Sequence, residues 1–177
     1  MASERKAVRQ AVVNLISANI SLGASKVFST RVVPVHAEEL PVVMVYALSE
    51  HAEVYNVAPV TLKRHLSLAV EIIAQASATV EDTLDNLAWE VEDILRSDQT
   101  LGNTVSDFTY KSTDISISEN GEQLVGGLRL AYDCVYYTDE LPSTGTIDDF
   151  VTADAVWLPN GATDDSPAAE DIVHPEQ

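Results

Sequence analysis

Cysteine is nearly missing from this 177-residue chain: Cys134 stands alone, which excludes an internal disulfide and any zinc site built on several thiolates. Its place in an alternating apolar stretch reads as a small core residue and not as a nucleophile. Basic residues are scarce as well, ten Lys and Arg against 28 Asp and Glu, for a formal net charge of −18. Independent nucleic-acid binding needs basic patches that displace counterions from phosphates, and this composition argues against it. An acidic surface favours solubility, and one facing a channel would repel DNA instead of gripping it. No apolar run approaches the ~20 residues of a membrane-spanning helix. The stretch Met1-Ala2-Ser3-Glu4-Arg5-Lys6 has no apolar segment of the kind that opens a secretory leader. The expectation is a protein made and used in a cytoplasm, with no membrane partner.

The motifs of common chemistries are missing too. There is no phosphate-cradling glycine loop, no Gly-x-Ser-x-Gly elbow and no dinucleotide fingerprint. His36, His51, His65 and His174 are scattered, without the i, i+4 spacing of a metal-binding helix. Glu38-Glu39, Asp148-Asp149 and Asp164-Asp165 are adjacent carboxylates, as chance dictates among 28 acids. The Asn19-Ile20-Ser21 sequon falls inside a predicted helix. The sequence therefore predicts no catalytic residue, no metal ligand and no cofactor, and an enzyme is not expected.

What is present is a strong strand–helix pair. Leu62 to Ala74 alternates: Leu62, Leu66, Leu68, Val70, Ile72 and Ala74 share one face, interrupted by Arg64, with Lys63, His65, Ser67 and Glu71 on the other. At ~3.3 Å per residue it spans on the order of 40 Å, longer than a small core covers, so part of it is expected to project. From Thr79 to Arg96, Val80, Leu84, Leu87, Ala88, Val91, Ile94 and Leu95 form one helical stripe, with Glu81, Asp82, Asp85, Glu92 and Asp93 outside it. Thr79 and Asp82 suggest a capping box.

Upstream, Ser3 as N-cap, the stripe Val8, Ala11, Val12, Leu15 and Ile16, and Gly23 as a C-terminal cap predict a first helix. Its exposed side begins with Arg5, Lys6 and Arg9, three of the ten basic residues, opposite in sign to the second helix. Strands are expected over Lys26–Val35, broken by Pro34, and over Val42–Leu48. Ser49–Val60 is either a protruding hairpin or a long loop. Downstream, Val105–Ser118 and Gln123–Tyr137 flank Asn120-Gly121, a hairpin signal. Pairing outward from that turn sets Ile117 opposite Leu124 and Ile115 opposite Gly126. A bulge near Lys111 to Asp114 is then required to bring Phe108 and Tyr110 into phase with the isoleucines. Gly126-Gly127 implies an irregularity or the close approach of another backbone.

After Leu141 the chain changes: eight acids, no Lys or Arg, and Pro142, Pro159, Pro167 and Pro175. Two apolar clusters, Phe150-Val151 and Val156-Trp157-Leu158, make Phe150, Val151, Trp157 and Leu158 docking candidates. They would lie on a neighbouring subunit or, alternatively, on their own domain. The expected organisation is a core over residues 1–140 and an acidic extension over 141–177. The fold class is α+β, a two-layer sandwich with a mixed, mainly antiparallel sheet and two helices on one face.

The order helix, two strands, long strand, helix, hairpin, with Thr30-Arg31 before the first proline break and the run Glu39-Leu40-Pro41-Val42-Val43-Met44-Val45-Tyr46, resembles the tail terminator proteins of long-tailed bacteriophages, the lambda minor tail protein U type. The resemblance covers roughly residues 1–140; the acidic extension lies outside it. It implies a virion structural protein without enzymatic activity. Such a subunit forms a homohexameric ring on the tail tube protein, ends tube polymerisation, docks the head-completion or connector protein, and lets genome DNA pass its lumen without specific binding. A ring needs two different patches meeting head to tail, and Arg5, Lys6 and Arg9 facing Glu81, Asp82 and Asp85 are the candidate subunit interface. The rival readings are another neck or tail-tube ring subunit and, more distantly, a small α/β ligand-binding or hydrolase domain with a polar-lined pocket.

Overall fold

A computed structural model describes residues 3–29, 36–76, 79–120, 123–140, 153–157 and 169–173. The chain divides into two compact units, Met1–Glu140 and Leu141–Gln177. The first holds a five-stranded sheet built from β1 (Val27–Ser29), β2 (Val42–Val57), β3 (Val60–Ala76), β4 (Asp107–Asn120) and β5 (Gln123–Asp139), in the order β1-β2-β3-β5-β4. The β1–β2 pair is parallel and the other neighbours are antiparallel. Helices α1 (Glu4–Asn19) and α2 (Val80–Arg96) cover one face, which makes the unit an α+β two-layer sandwich.

The core follows from the period-2 pattern. Leu66, Leu68, Val70, Ile72 and Ala74 of β3 stand on the helix side, flanked by Val43 and Val45 of β2 and by Leu128, Leu130, Tyr132 and Cys134 of β5, all buried. Val8, Val12, Val13 and Ile16 of α1 close that layer from above, together with the stripe of α2 predicted from its spacing. Burial at ~25 cal/mol per Å2 of apolar surface is the main force holding helices to sheet.

The long strand extends two residues further at each end than predicted, and the Ser49–Val60 segment is a hairpin: β2 runs unbroken into the arm and turns at Ala58-Pro59. The expected projection is present, since Leu48, Ser49 and His51 through Pro59 are exposed. Other details differ. The strand expected over Lys26–Val35 is described at Val27–Ser29: a short 3-10 turn takes up Ala24–Lys26 at its start, and residues 30–35, Pro34 among them, lie outside the described residues. Gly23, at φ 84°, precedes that turn, and α1 ends at Asn19 with Ile20 as its C-cap. Ser3 and Thr79 occupy the N-cap positions but neither side chain caps; the Thr79–Asp82 box does not form, and Thr83 Oγ1 donates to the Thr79 carbonyl at 3.0 Å.

In the β4–β5 hairpin the bulge falls at Lys111, between Tyr110↔Tyr132 and Ser112↔Ala131, and it does restore the phase of Phe108. The register is shifted by two from the expected one: Ile117 pairs with Gly126 and Ile115 with Leu128. Asn120 is itself paired, with Gln123, and so is not a residue of the expected Asn120-Gly121 turn; residues 121–122 lie outside the described residues. A shift of two keeps every side chain on its face. Gly126 breaks no pairing. Its bare Cα makes room for α2, as a Cβ there would stand 2.5 Å from Leu84 Cδ1 and 3.0 Å from Val80 Cγ2.

The second unit contains β6 (Ala153–Trp157) and β7 (Ala169–Val173), paired antiparallel from Ala153↔Val173 to Trp157↔Ala169. Little regular structure was expected here. The alternation of small, acidic and apolar residues in the two short runs is what permits a ladder.

Candidate assembly surfaces

The two helices cover the sheet unequally. Packed helices lie 8–10 Å apart and strands 4.7–4.9 Å apart, so two helices roof about four strands. Here α1 packs over β1 and β2, while α2 packs over β3 and β5. Of the fifth strand, β4, Phe108 is buried in the core, but Ile115 and Ile117 are left open on that side among the described residues. This strand forms one lateral edge of the subunit, and α1 with β1 and β2 forms the other.

The predicted basic patch is on the α1 edge. Arg5 Nε lies 3.6 Å from Glu50 Oε2, and Arg9 Nε donates to Ser29 Oγ of β1 at 2.9 Å. Lys6 is exposed, with no ion partner among the described residues. Leu48, 54% exposed, lies beside them where β2 bulges past the end of β1.

Glu50 is the hub at the root of the arm. Its carboxylate accepts hydrogen bonds from Tyr136 and, at 3.1 Å, from Arg64 Nη1; Arg64 Nε donates to Thr138 Oγ1 at 2.7 Å. This explains the one charge on the apolar face of the long strand. Arg64 stands beyond the helices, where Glu50 and Thr138 satisfy it. Burial raises the Tyr136 hydroxyl pKa above its ordinary value, and the bond to Glu50 raises it further.

The predicted acidic patch, Glu81, Asp82 and Asp85, opens α2, exposed and without ion partners among the described residues. The two patches do not meet in one subunit. Arg5 reaches Glu50, opposite Leu66 of β3, whereas Val80 sits over Gly126, opposite Ala74; from Leu66 to Ala74 the strand rises roughly 26 Å at ~3.3 Å per residue.

Three exposed apolar features escaped sequence reasoning. Val54, Tyr55 and Val57 project on the arm, where Tyr55 meets Tyr137 edge-on at 4.8 Å. Trp89 stands on the outer side of α2, with the Arg96 guanidinium 5.4 Å from its ring. On β4, Ile115 and Ile117 are 53% and 39% exposed although they share the helix-side face with the core, because no helix roofs them. Periodicity assigned their face; only the number of helices counted against strands could have shown that they lie open.

The face opposite the helices is mixed: Val42, Met44 and Ala69 are buried on it, and charged pairs occupy much of the rest. Lys63 lies 3.8 Å from Glu53; His65 lies between Glu53 and Asp133, at 3.8 and 3.5 Å; Lys111 lies 3.9 Å from Asp133; and Arg129 donates to Glu71. Such exposed pairs contribute ~0–1 kcal/mol each. His36 Nδ1 and Nε2 aside, its backbone N–H donates to Glu39 at 2.9 Å, a local cap, and His51 is exposed on the arm; His174 lies outside the described residues. Among the described residues no group of three or more His, Cys, Asp and Glu is placed to hold a metal. Cys134 is buried, and burial pushes its thiol pKa up to about 12, so it is protonated and unreactive at neutral pH. No described helix is long and apolar enough to cross a membrane. Of the docking candidates in the extension, Trp157 lies in β6 opposite Ala169; Phe150, Val151 and Leu158 lie outside the described residues, as do Thr30-Arg31 and the pairs Asp148-Asp149 and Asp164-Asp165.

The profile described as phage minor tail protein U matches residues 3–136, nearly the whole first unit. No match was found among individually curated proteins. The chain belongs to the phage minor tail protein U family: it is a structural component of a phage tail and hence of the virion, working among other virion proteins.

Proposed function

We propose, taking membership of the minor tail protein U family as the premise, that the protein closes into a ring at the end of the tail tube. There it stops tube polymerisation and provides the surface on which the head connector docks. The observation that carries this reading is the pair of unlike lateral edges, basic α1 on one side and acidic α2 with open β4 on the other. Identical edges would favour a two-fold dimer, whereas unlike edges suit a head-to-tail contact, and such contacts close into rings when the rotation allows. By resemblance the ring is a hexamer, its subunits joined where Arg5, Lys6 and Arg9 of one copy face Glu81, Asp82 and Asp85 of the next. The strong net negative charge suits a lumen that passes DNA without holding it. The role is structural and requires no cofactor or reacting group.

The extension after Leu141 is proposed to lie on the neighbouring subunit through Phe150, Val151, Trp157 and Leu158. Deleting residues 141–177 is expected to leave the first unit folded and to weaken assembly; an unfolded product would show that the extension belongs to the core. The ring itself is tested by measuring the mass of the full chain alone and with isolated tail tubes, then imaging the tubes. A ring-sized mass with density at one tube end is expected. Density along the whole tube would identify a tube subunit, and density only on connectors would identify a neck subunit.

A further inference from the structure

The β4 edge is more than an uncovered strand. On α2, Glu81, Asp85, Ala88, Glu92 and Leu95 follow i, i+4, i+7, i+11 and i+14, one line along the helix. Glu92 and Leu95 border the same depression as Phe108, Tyr110 and Tyr132, which places that line beside β4. At the other end of the line, Val80 and Leu84 rest on Gly126, the β5 partner of Ile117. The result is a trough with a floor of Ile115 and Ile117 and one wall of Glu81 and Asp85. Among the described residues it has no second wall: the helical layer ends one helix short of the sheet.

The α1 edge has the complementary chemistry. Lys6 and Arg9 lie at i and i+3 on the flank of α1 toward β1, as the Arg9–Ser29 bond shows, and Leu48 is exposed next to them. This is a basic helix flank with an apolar neighbour, on the opposite side of the subunit from an acidic wall with an apolar floor. We infer that the trough is a socket for a second copy of this chain: Lys6 and Arg9 of the incoming α1 face Glu81 and Asp85, and Leu48 covers Ile115 and Ile117. The neighbour's α1 thereby roofs β4 as the third helix of the layer. The inference rests on the ring reading and deepens it, since it adds an apolar centre to a contact that charge alone would leave worth little.

The test uses the head-to-tail character of the contact. Ile115→Asp with Ile117→Asp removes the socket floor and keeps the α1 flank; Lys6→Glu with Arg9→Glu removes the flank and keeps the socket. Ile115, Ile117 and Lys6 are exposed and Arg9 is half-buried with its Nε bonded to Ser29 Oγ, so circular dichroism of each full-length variant checks that it folds. Light scattering should show wild type, on its own or on tail tubes, as a multiple of the 19.2 kDa subunit, and each variant as a monomer. Mixing the two variants should restore one interface and give a species of twice the subunit mass that grows no further. Variants that assemble like wild type, or a mixture that stays monomeric, would overturn the socket and leave the ring reading standing. A wild type that stays monomeric both alone and on tubes would overturn the ring reading itself.

Discussion

The two halves of β3 have the same alternation and opposite fates. From Leu66 to Ala74 the helix-side residues are buried under α1 and α2, while from Val60 to His65 the strand leaves the helical roof and forms one side of a projecting arm. Alternation specifies which face a side chain takes; the roof decides whether that face is dry. Glu50, Arg64 and Tyr136 mark the boundary, with polar groups paired to one another where burial ends.

The comparison is sharpened first in the roofed half. Leu68→Ala, at a fully buried position opposite Tyr132, should cost about 2–5 kcal/mol in urea-induced unfolding, through lost transfer energy and a cavity. Gly126→Ala should cost about 1–3 kcal/mol, because Leu84 and Val80 are themselves buried and have nowhere to move. At the boundary, Glu50→Ala leaves Arg64 and Tyr136 without their shared acceptor and should cost about 1–3 kcal/mol by the same measurement. If Glu50→Ala proved as harmless as a surface change, the boundary would hold no structural weight and the arm would be independent of it.

Alkaline pH probes the roofed half without mutation. The Cys134 pKa rises from 9.0 to about 12 on folding, so its contribution to stability is full below pH 9 and is lost as pH climbs toward about 12. Tyr132 and Tyr136 are shifted upward as well, each chiefly by burial, and act in the same sense. Urea midpoints should therefore fall progressively above pH 9, and Cys134 should react with iodoacetamide only once the protein unfolds. The smallest effect is expected on the arm: Val54→Ser and Tyr55→Ser should change stability by about 0.5 kcal/mol or less. A larger loss would mean that the arm is part of the core.

The same distinction explains what the sequence could reveal. Every buried position of α2 was readable from its spacing, because an amphipathic helix on a sheet must hide one stripe. The bulge at Lys111 was readable because Phe108 and Ile115 are out of phase without it. Sequence leaves the arm open between hairpin and loop because His51 through Val57, solvated on both faces, has no clear hydrophobic period. The register of the β4–β5 pair differs by two from the one Asn120-Gly121 predicts, because face assignments are identical for registers two residues apart. Of the assembly surfaces, the charges on α1 and α2 were visible as composition, while the open floor at Ile115 and Ile117 depended on how many strands two helices can cover. The family match, over residues 3–136, follows the helices and the sheet and stops before the extension.

The central claim, that the protein ends a growing tube, is tested most directly by polymerising tail tube protein in its presence and measuring tube lengths by electron microscopy. Lengths should shorten as the ratio of this protein to tube protein rises, with one cap of density at the end of each tube. Tubes of unchanged length without caps would contradict the account.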